Sequence, residues 1–231
     1  MLVLSVVSGA ALLAAAALPA TALPAAVAGG GETGADPVSA ADLLARVKTC
    51  TPISHGKYRM DQGGPAKVAV CGTKGAVFWE ADMDIDCDGR VTAACSRETD
   101  PSFLPDTAFQ TSGGKPLDSA RLPYVVVPGP GPLWNHTESG IAGGGVAAVV
   151  YRGKVQYAVV GDTGPTGIIG EASYAAAEAL GIDPDPKTGG TASGVTYILF
   201  KNSRVSSIES HEAAVTAGRE LARKFVAEER T

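Results

Sequence analysis

The chain has 231 residues, of which 45% are hydrophobic and 29 are glycine, and its formal net charge is −5. This length allows one domain with appendages, and the glycine content indicates many tight turns. The negative charge argues against nucleic acid as a partner and mildly favours a cationic one.

Residues 1–28 contain no charged side chain and predict a secretory signal peptide. Ala26-Val27-Ala28 matches the small-x-small rule for cleavage, which would then occur after Ala28. A membrane anchor is the weaker alternative, because Pro19 and Pro24 interrupt the apolar run and no second hydrophobic span follows. We therefore expect a secreted, extracellular protein that makes no membrane contact after cleavage and acts as a monomer.

Residues 29–38 predict a flexible lead-in, and residues 39–231 predict a single catalytic domain. Ser39 and Asp42 predict a capping box before a short helix that runs through Val47. Strands are predicted for Lys67–Cys71, Ala76–Asp86, Leu122–Val127, Val146–Tyr151, Val155–Gly161 and Val195–Phe200. Further helices are predicted for Ser173–Leu180, closed by Gly181, and for Ser207–Glu228. Many short strands with few helices indicate a mainly β fold, a closed barrel with a few peripheral helices.

The cysteines number four, an even set that predicts two disulfides in a secreted chain: Cys50, Cys71, Cys87 and Cys95. Spacing alone leaves all three pairings open. A zinc site is not expected, since there is no C-x-x-C pair and the three histidines are scattered. His55 and His136 are predicted to be surface residues. No cofactor and no metal are expected.

Two acidic residues stand nine positions apart in the stretch YAVVGDTGPTGIIGEASYAAAEALGI. Asp162 follows the strand Tyr157–Val160 in a Gly/Pro-rich turn, and Glu171 follows the apolar pair Ile168-Ile169 just before a helix. Each has a structural explanation, because Asp bonds its own backbone in turns and the dipole of a helix favours Glu at its start. We nevertheless expect both at the ends of neighbouring strands, where glycoside hydrolysis needs such a pair.

A second acidic stretch reads FWEADMDIDCDG over residues 78–89. Strand alternation sorts its side chains onto two faces. One face carries Trp79, Ala81, Met83, Ile85 and Cys87, and the other carries Glu80, Asp82, Asp84 and Asp86, with Asp88 just beyond. Carboxylates about 7 Å apart along one face raise one another's pKa or require a cation.

Three interpretations of this strand compete. The first is calcium binding, because Asp84-x-Asp86-x-Asp88 opens like an EF-hand loop, although the twelfth position is Cys95 rather than Glu. The second is an edge strand that its charges protect from pairing. The third, which we favour, is a row of subsites for a positively charged polymer, with Trp79 or Trp134 offering a face for sugar stacking.

With FWEADMDIDCDG and YAVVGDTGPTGIIGEAS in view, the chain resembles the secreted endo-chitosanases of glycoside hydrolase family 75, from about Lys48 to the C-terminal helix. The resemblance implies hydrolysis of internal β-1,4 bonds between glucosamine units with inversion, and it makes Asp162 and Glu171 the essential acids. The same stretch is similar to double-psi β-barrel proteins such as rare lipoprotein A and the murein lytic transglycosylases. That implies a double-psi-like β-barrel, but Glu171 stands where those relatives usually have Asp, so the identity of the proton donor stays open.

Our hypothesis makes Glu171 the general acid, with its pKa raised by an apolar wall, and Asp162 the general base. The amines of chitosan, the expected partner, would meet substrate-binding residues Asp82, Asp84, Asp86 or Asp88. Two alternatives are a peptidoglycan lytic enzyme on the same barrel, which needs one acid, and a non-catalytic, expansin-like polysaccharide-binding module. The acidic strand favours chitosan, since neither alternative substrate is a polycation.

Overall fold

The computed structural model describes residues 2–3 and 37–228. The chain divides into two units, residues 1–35 and 36–231, and the fold below is that of the second. The predicted signal peptide, apart from residues 2–3, and the lead-in up to residue 36 lie outside the described residues. Over the part of the chain that is described, no helix is long and apolar enough to cross a membrane.

The second unit is built on a single β-sheet. Its seven strands are β1 (Cys71–Gly72), β2 (Ala76–Asp86), β3 (Tyr124–Pro128), β4 (Val146–Tyr151), β5 (Lys154–Gly164), β6 (Glu171–Ser173) and β7 (Thr191–Phe200). They lie in the order β1-β2-β6-β3-β5-β4-β7, and β2 also pairs antiparallel with β7. Six strands therefore close into a barrel, with β1 attached beside β2. The expected mainly β fold with a closed barrel is confirmed, and the finer double-psi topology stays a prediction.

Side chains alternate between the two sides of this barrel wall, as the pleat of a strand requires. In β2, Trp79, Ala81, Met83 and Ile85 all belong to the hydrophobic cluster that fills the barrel. A second cluster covers the outer side, where helix α3 (His211–Ala227) packs against β4 and β5, and helix α1 (Ala40–Arg46) packs against α3. The predicted sorting of β2 is therefore correct: its acidic residues point outward.

Local sequence signals set several element ends as predicted. The capping box of Ser39 and Asp42 starts α1. Ser173 caps helix α2 (Tyr174–Leu180), and Gly181 ends it with a φ of 77°. The β4–β5 hairpin turns at Arg152 and Gly153, both with positive φ. These features depend only on residues close in sequence, which is why the pattern could reveal them.

Other boundaries differ from prediction. The strand expected at Lys67–Cys71 reduces to the two-residue β1, because Val68 instead bridges to Tyr58 in a separate loop. Helix α3 begins later than Ser207, since Ser210 provides its N-cap. His136, expected at the surface, is buried with its Nδ1 2.9 Å from the Ile141 carbonyl oxygen, whereas His55 is exposed as predicted.

The four cysteines form the two predicted disulfides, Cys50–Cys71 and Cys87–Cys95. The first ties the segment after α1 to β1. The second closes a short loop directly after β2, beside the acidic end of that strand. The chain that follows the acidic strand is therefore covalently fixed.

Candidate active site

Asp162 lies within strand β5, not in the turn that the sequence suggested. The pairing of β5 with β3 is interrupted there: Val125 faces Val160, and Val126 faces Asp162, so Gly161 is an extra residue. Such a β-bulge reverses the alternation that follows it. Only glycine fits at this bulge, because a Cβ on Gly161 would lie 2.5 Å from Cγ of Tyr124. The bulge therefore turns Asp162 to the outer side of the barrel.

Glu171 reaches the same side through the neighbouring strands. Val126 of β3 is in register with Asp162 on one side and with Glu171 of β6 on the other. The expectation of adjoining strands is wrong, because β3 lies between β5 and β6. Residues directly opposite one another share a face, so both carboxylates project outward about 9.5 Å apart at the backbone, two strand spacings.

Asp162 is buried, and backbone N–H groups bind its carboxylate. It is 7% exposed, and its Oδ1 accepts hydrogen bonds from the backbone N–H groups of Ala108 (2.8 Å) and Thr163 (2.7 Å). Burial raises the pKa of Asp162, and the two N–H donors oppose that rise because they favour the ionised carboxylate. The carboxylate is thus oriented, with donors that stabilise its charge.

Glu171 is half-buried and sits among other acids. Burial, followed by the charges of Asp84, Asp88, Asp162 and Asp100, raises the pKa of Glu171 to about 8. Asp84 contributes most among the charges, since it lies directly opposite Glu171 in the β2–β6 pair. The predicted rise in the pKa of Glu171 has burial as its largest cause. The neighbouring carboxylates add to it, so an apolar wall alone does not account for the rise. Glu171 therefore holds a proton near neutral pH.

The acids Asp82, Asp84 and Asp86 of β2, and Asp88 just beyond its end, differ in exposure. Asp84 is exposed and Asp88 is half-buried, whereas Asp82 and Asp86 are buried. Oδ1 of Asp86 accepts from the N–H of Asp88 at 2.6 Å, and Oδ1 of Asp88 accepts from the N–H of Leu104 at 2.6 Å. Burial and the charges of Glu171 and Asp162 raise the pKa of Asp86 well above its usual value. Asp86 is thus a buried carboxylate close enough to both candidate acids for their charges to raise its pKa.

A cleft of about 300 Å³ opens over this region. Its acidic lining residues are Asp84, Asp86, Asp88, Asp100, Glu171 and Asp185. One cation, Lys187, also lines it and donates to the carbonyl of Glu98 at 2.8 Å. Asp100 and Asp185 were missed from the sequence, because they come from irregular loops that carry no periodic signal. The cleft is negatively charged and suits a cationic ligand.

Trp79 and Trp134 do not offer the stacking faces that were predicted. They are 1% and 4% exposed, and their rings pack edge to face with centroids 6.2 Å apart inside the barrel cluster. Trp79 also stacks on Tyr197. The alternation that turns the β2 acids outward necessarily turns Trp79 inward, so both tryptophans are core residues.

A larger cavity, of about 590 Å³, has a different character. Its charged lining includes Arg90, Lys115 and Arg121, together with Asp118 and Glu209. Neither Asp162 nor Glu171 lines it. Despite its size, this cavity is not the candidate active site; the acidic cleft is, because its lining residues Asp84, Asp86, Asp88 and Glu171 have raised pKa values.

Two groups of carboxylates could hold a cation within the described part of the chain: Asp86, Asp88 and Asp162, and separately Asp61, Asp82 and Asp84. An EF-hand-like loop would gather Asp84, Asp86 and Asp88 around one ion. The extended strand instead divides these three between the two groups. The EF-hand interpretation is therefore wrong for this segment.

Comparison with known proteins identifies relatives. The family described as "Fungal chitosanase of glycosyl hydrolase group 75" matches residues 83–227. The chain is 30% identical to endo-chitosanase C of Aspergillus oryzae over 177 residues, which cover 73% of this chain and 44% of that protein. It is 33% identical to an endo-chitosanase of Aspergillus fumigatus, over 59% of this chain and 58% of that protein. An endo-chitosanase of A. oryzae is 33% identical over 64% of this chain and 67% of that protein. The chain thus spans less than half of endo-chitosanase C.

Proposed function

Because the chain belongs to the group 75 glycosyl hydrolases, the fungal chitosanase family, we propose that it hydrolyses internal β-1,4 glucosamine linkages of chitosan with inversion. The observation that carries this proposal is the placement of Asp162 and Glu171 on either side of Val126, on one face of the barrel, with Glu171 lining a negatively charged cleft. Their backbone separation, about 9.5 Å, is compatible with the 6.5 to 9.5 Å between carboxyl groups that inverting enzymes use to admit a water.

Glu171 acts as the general acid in this mechanism. Its pKa of about 8 keeps it protonated near neutrality, and its half-buried position lets it reach a ligand in the cleft. It donates its proton to the glycosidic oxygen as the bond from that oxygen to the anomeric carbon breaks.

Asp162 acts as the general base. The N–H groups of Ala108 and Thr163 support its ionised form and fix its orientation. It accepts a proton from a water molecule, whose oxygen attacks the anomeric carbon from the opposite side to the leaving group. At the end of the reaction Glu171 is ionised and Asp162 is protonated, and exchange with solvent restores both.

The amines of the polymer pair with the acidic lining of the cleft. Asp84 and Asp88 are its more accessible members on the β2 side, and Asp100 and Asp185 extend the lining from loops. Because these pairs are partly exposed, salt weakens them. The Michaelis constant for chitosan should therefore rise between roughly 0.05 and 1 M salt, as the Debye length falls from more than 10 Å to about 3 Å.

Release of reducing ends from chitosan, chitin and peptidoglycan tests the activity. Wild type should act on chitosan, and Asp162→Asn and Glu171→Gln should each lose at least about 100-fold in kcat. Glu80→Gln is the control, since Glu80 is an exposed acid of β2 that pairs with Thr196 of β7 rather than with Glu171. Proton NMR of the first products should show the α-anomer.

The alternatives give different results in the same assay. Substantial activity of Asp162→Asn on peptidoglycan would indicate a lytic enzyme that needs one acid. Binding of polysaccharide without any new reducing ends would indicate a non-catalytic module. We also propose that the protein is secreted and monomeric; the two disulfides support an oxidising compartment.

A further inference from the structure

A cluster of three carboxylates lies beside the acidic cleft, formed by Asp61, Asp82 and Asp84. One oxygen of each lies within 4.8 Å of the others. Asp61 comes from an exposed turn that is remote in sequence, and Asp82 and Asp84 come from β2. We propose that this cluster, which we call the Asp82 cluster, is a binding site for a divalent cation of the calcium type.

The burial of Asp82 gives the first reason. Asp82 is 3% exposed, yet among the described residues its Oδ1 has no hydrogen-bond partner. A buried carboxylate oxygen without a partner costs free energy that a bound cation would recover. The protein keeps this oxygen buried by packing Gly170 on it: a Cβ at Gly170 would lie 1.9 Å from Asp82 Oδ1.

The contrast with the other acidic group gives a second reason. In Asp86, Asp88 and Asp162, Oδ1 of each residue accepts at least one backbone N–H hydrogen bond. Those oxygens are satisfied by the chain itself. In the Asp82 cluster, by contrast, Oδ1 of Asp82 has no hydrogen-bond partner among the described residues, so the chain itself does not satisfy it.

Geometry and charge favour a divalent ion over an amine. Calcium binds oxygen at 2.3 to 2.6 Å, so two ligand oxygens on opposite sides of one ion lie up to about 5 Å apart. The oxygens of the Asp82 cluster lie within 4.8 Å of one another, which is compatible with one shared ion. A single ammonium leaves two of three negative charges uncompensated, whereas a divalent ion leaves one. A sugar amine would also have to bring its ring to a carboxylate that is almost wholly covered.

Such an ion would join three parts of the site. The turn carrying Asp61 is bonded to the loop before Glu171, through Arg59 N–H to Gly167 O (3.0 Å) and Ile169 N–H to Arg59 O (3.0 Å). Asp84 is in register with Glu171 itself. The ion would therefore fasten the Asp61 turn and the loop before β6 to β2, and so fix one wall of the cleft.

Calcium binding to the full chain at pH 8, after treatment with EDTA and its removal, tests the proposal by calorimetry. Wild type should bind one ion, with a Kd in the range of about 10⁻⁴ to 10⁻³ M found in extracellular modules. At thirty times the Kd, calcium should raise Tm by roughly 4 to 8 °C. Asp82→Asn should weaken binding at least tenfold. Asp183→Asn, which changes an exposed aspartate outside the cluster, should bind as wild type does.

The sign of the stability change provides an independent check. In EDTA, Asp82→Asn should melt above wild type, because it removes repulsion; in calcium it should melt below wild type. Absence of calcium binding and of any Tm shift up to 10 mM would overturn the proposal. A Tm shift with glucosamine but not calcium, lost in Asp82→Asn, would overturn it in favour of an amine subsite. Neither measurement uses hydrolysis, so the outcome is independent of the proposed activity.

Discussion

Replacement of Asp84 by asparagine should move the basic limb of the pH–rate profile toward acid. In the proposed mechanism Glu171 must be protonated to act as the general acid, so kcat/KM should fall as pH rises through its pKa of about 8. Asp84 lies opposite Glu171 and is the largest of the charges that raise this pKa. Removing a negative charge makes the ionised form of Glu171 easier to reach, which lowers the pKa.

The size of the shift follows from the strand spacing. Two charges about 5 Å apart interact by about 0.8 kcal/mol in water, or about 0.6 pKa units at 1.36 kcal/mol per unit. The dielectric constant of water gives the weakest interaction, so this value is the lower bound, and the exposed Asp84 should lie close to it. An effective dielectric constant half that of water doubles the shift. We expect an acid shift of about 0.6 to 1.2 units.

The assay is the initial rate on chitosan from pH 5 to 9.5 at low salt, in EDTA so that no cation neutralises Asp84. Glu80→Gln serves as the control, because Glu80 faces Thr196 and should leave the limb in place. If the basic limb stays at the same pH in Asp84→Asn, or shifts equally in both variants, the charge of Asp84 does not raise the pKa of Glu171.

Three further predictions concern stability. Because Glu171 and Asp82 have raised pKa values of about 8 and 7 in the fold, against 4.5 and 3.8 in the unfolded chain, their contribution to stability should be complete below about pH 4 and should fall as pH rises to 8. Melting curves in EDTA would contradict this if Tm rose over that interval. Gly170→Ala should cost about 3 kcal/mol, since Gly170 has a φ of 116° and its Cβ would collide with Asp82. Gly153→Ala, where φ is 80° but the space is open, should cost about 1 kcal/mol; equal costs in urea unfolding would argue against the contact. The double change Cys87→Ser/Cys95→Ser should cost about 2.5 kcal/mol for its separation of 8 residues, with a lower kcat because Asp88 lies in the released loop. An unchanged kcat would show that the disulfide does not position that loop.

Sequence reasoning succeeded where the structure is decided locally. The alternation of β2, the Ser39 capping box, the Gly181 helix end and the β4–β5 hairpin all depend on residues within one or two turns of each other. The number of disulfides followed from an even cysteine count. Asp162 and Glu171 were identified as a pair from their motifs, and the structure brings them to one face.

Non-local pairing could not be predicted. The insertion of β3 between β5 and β6 depends on where residues 124–128 fold back, and nothing in the stretch containing Asp162 and Glu171 indicates it. The bulge at Gly161 looked like the start of a turn, because glycine and aspartate occur in both settings. Asp100 and Asp185 enter the cleft from loops without periodicity.

The stacking prediction for the tryptophans failed for a different reason. The alternation that predicted the acidic face already put Trp79 with Ala81 and Met83 on the apolar one. Because the Trp79 ring lies inside the barrel, it cannot contact a ligand on the outer face. The stacking hypothesis conflicted with the pattern beside it, and the pattern was correct.

The outward turn of Asp162 at the bulge has a consequence for how a long chain molecule could be engaged. Had both acids pointed into the barrel, a polymer would need a free end to thread through a filled interior. On the flank, a strand of sugars can be laid sideways against the wall at any point along its length. Cuts would then fall throughout the polymer, and the viscosity of a solution would drop well before many short fragments appear.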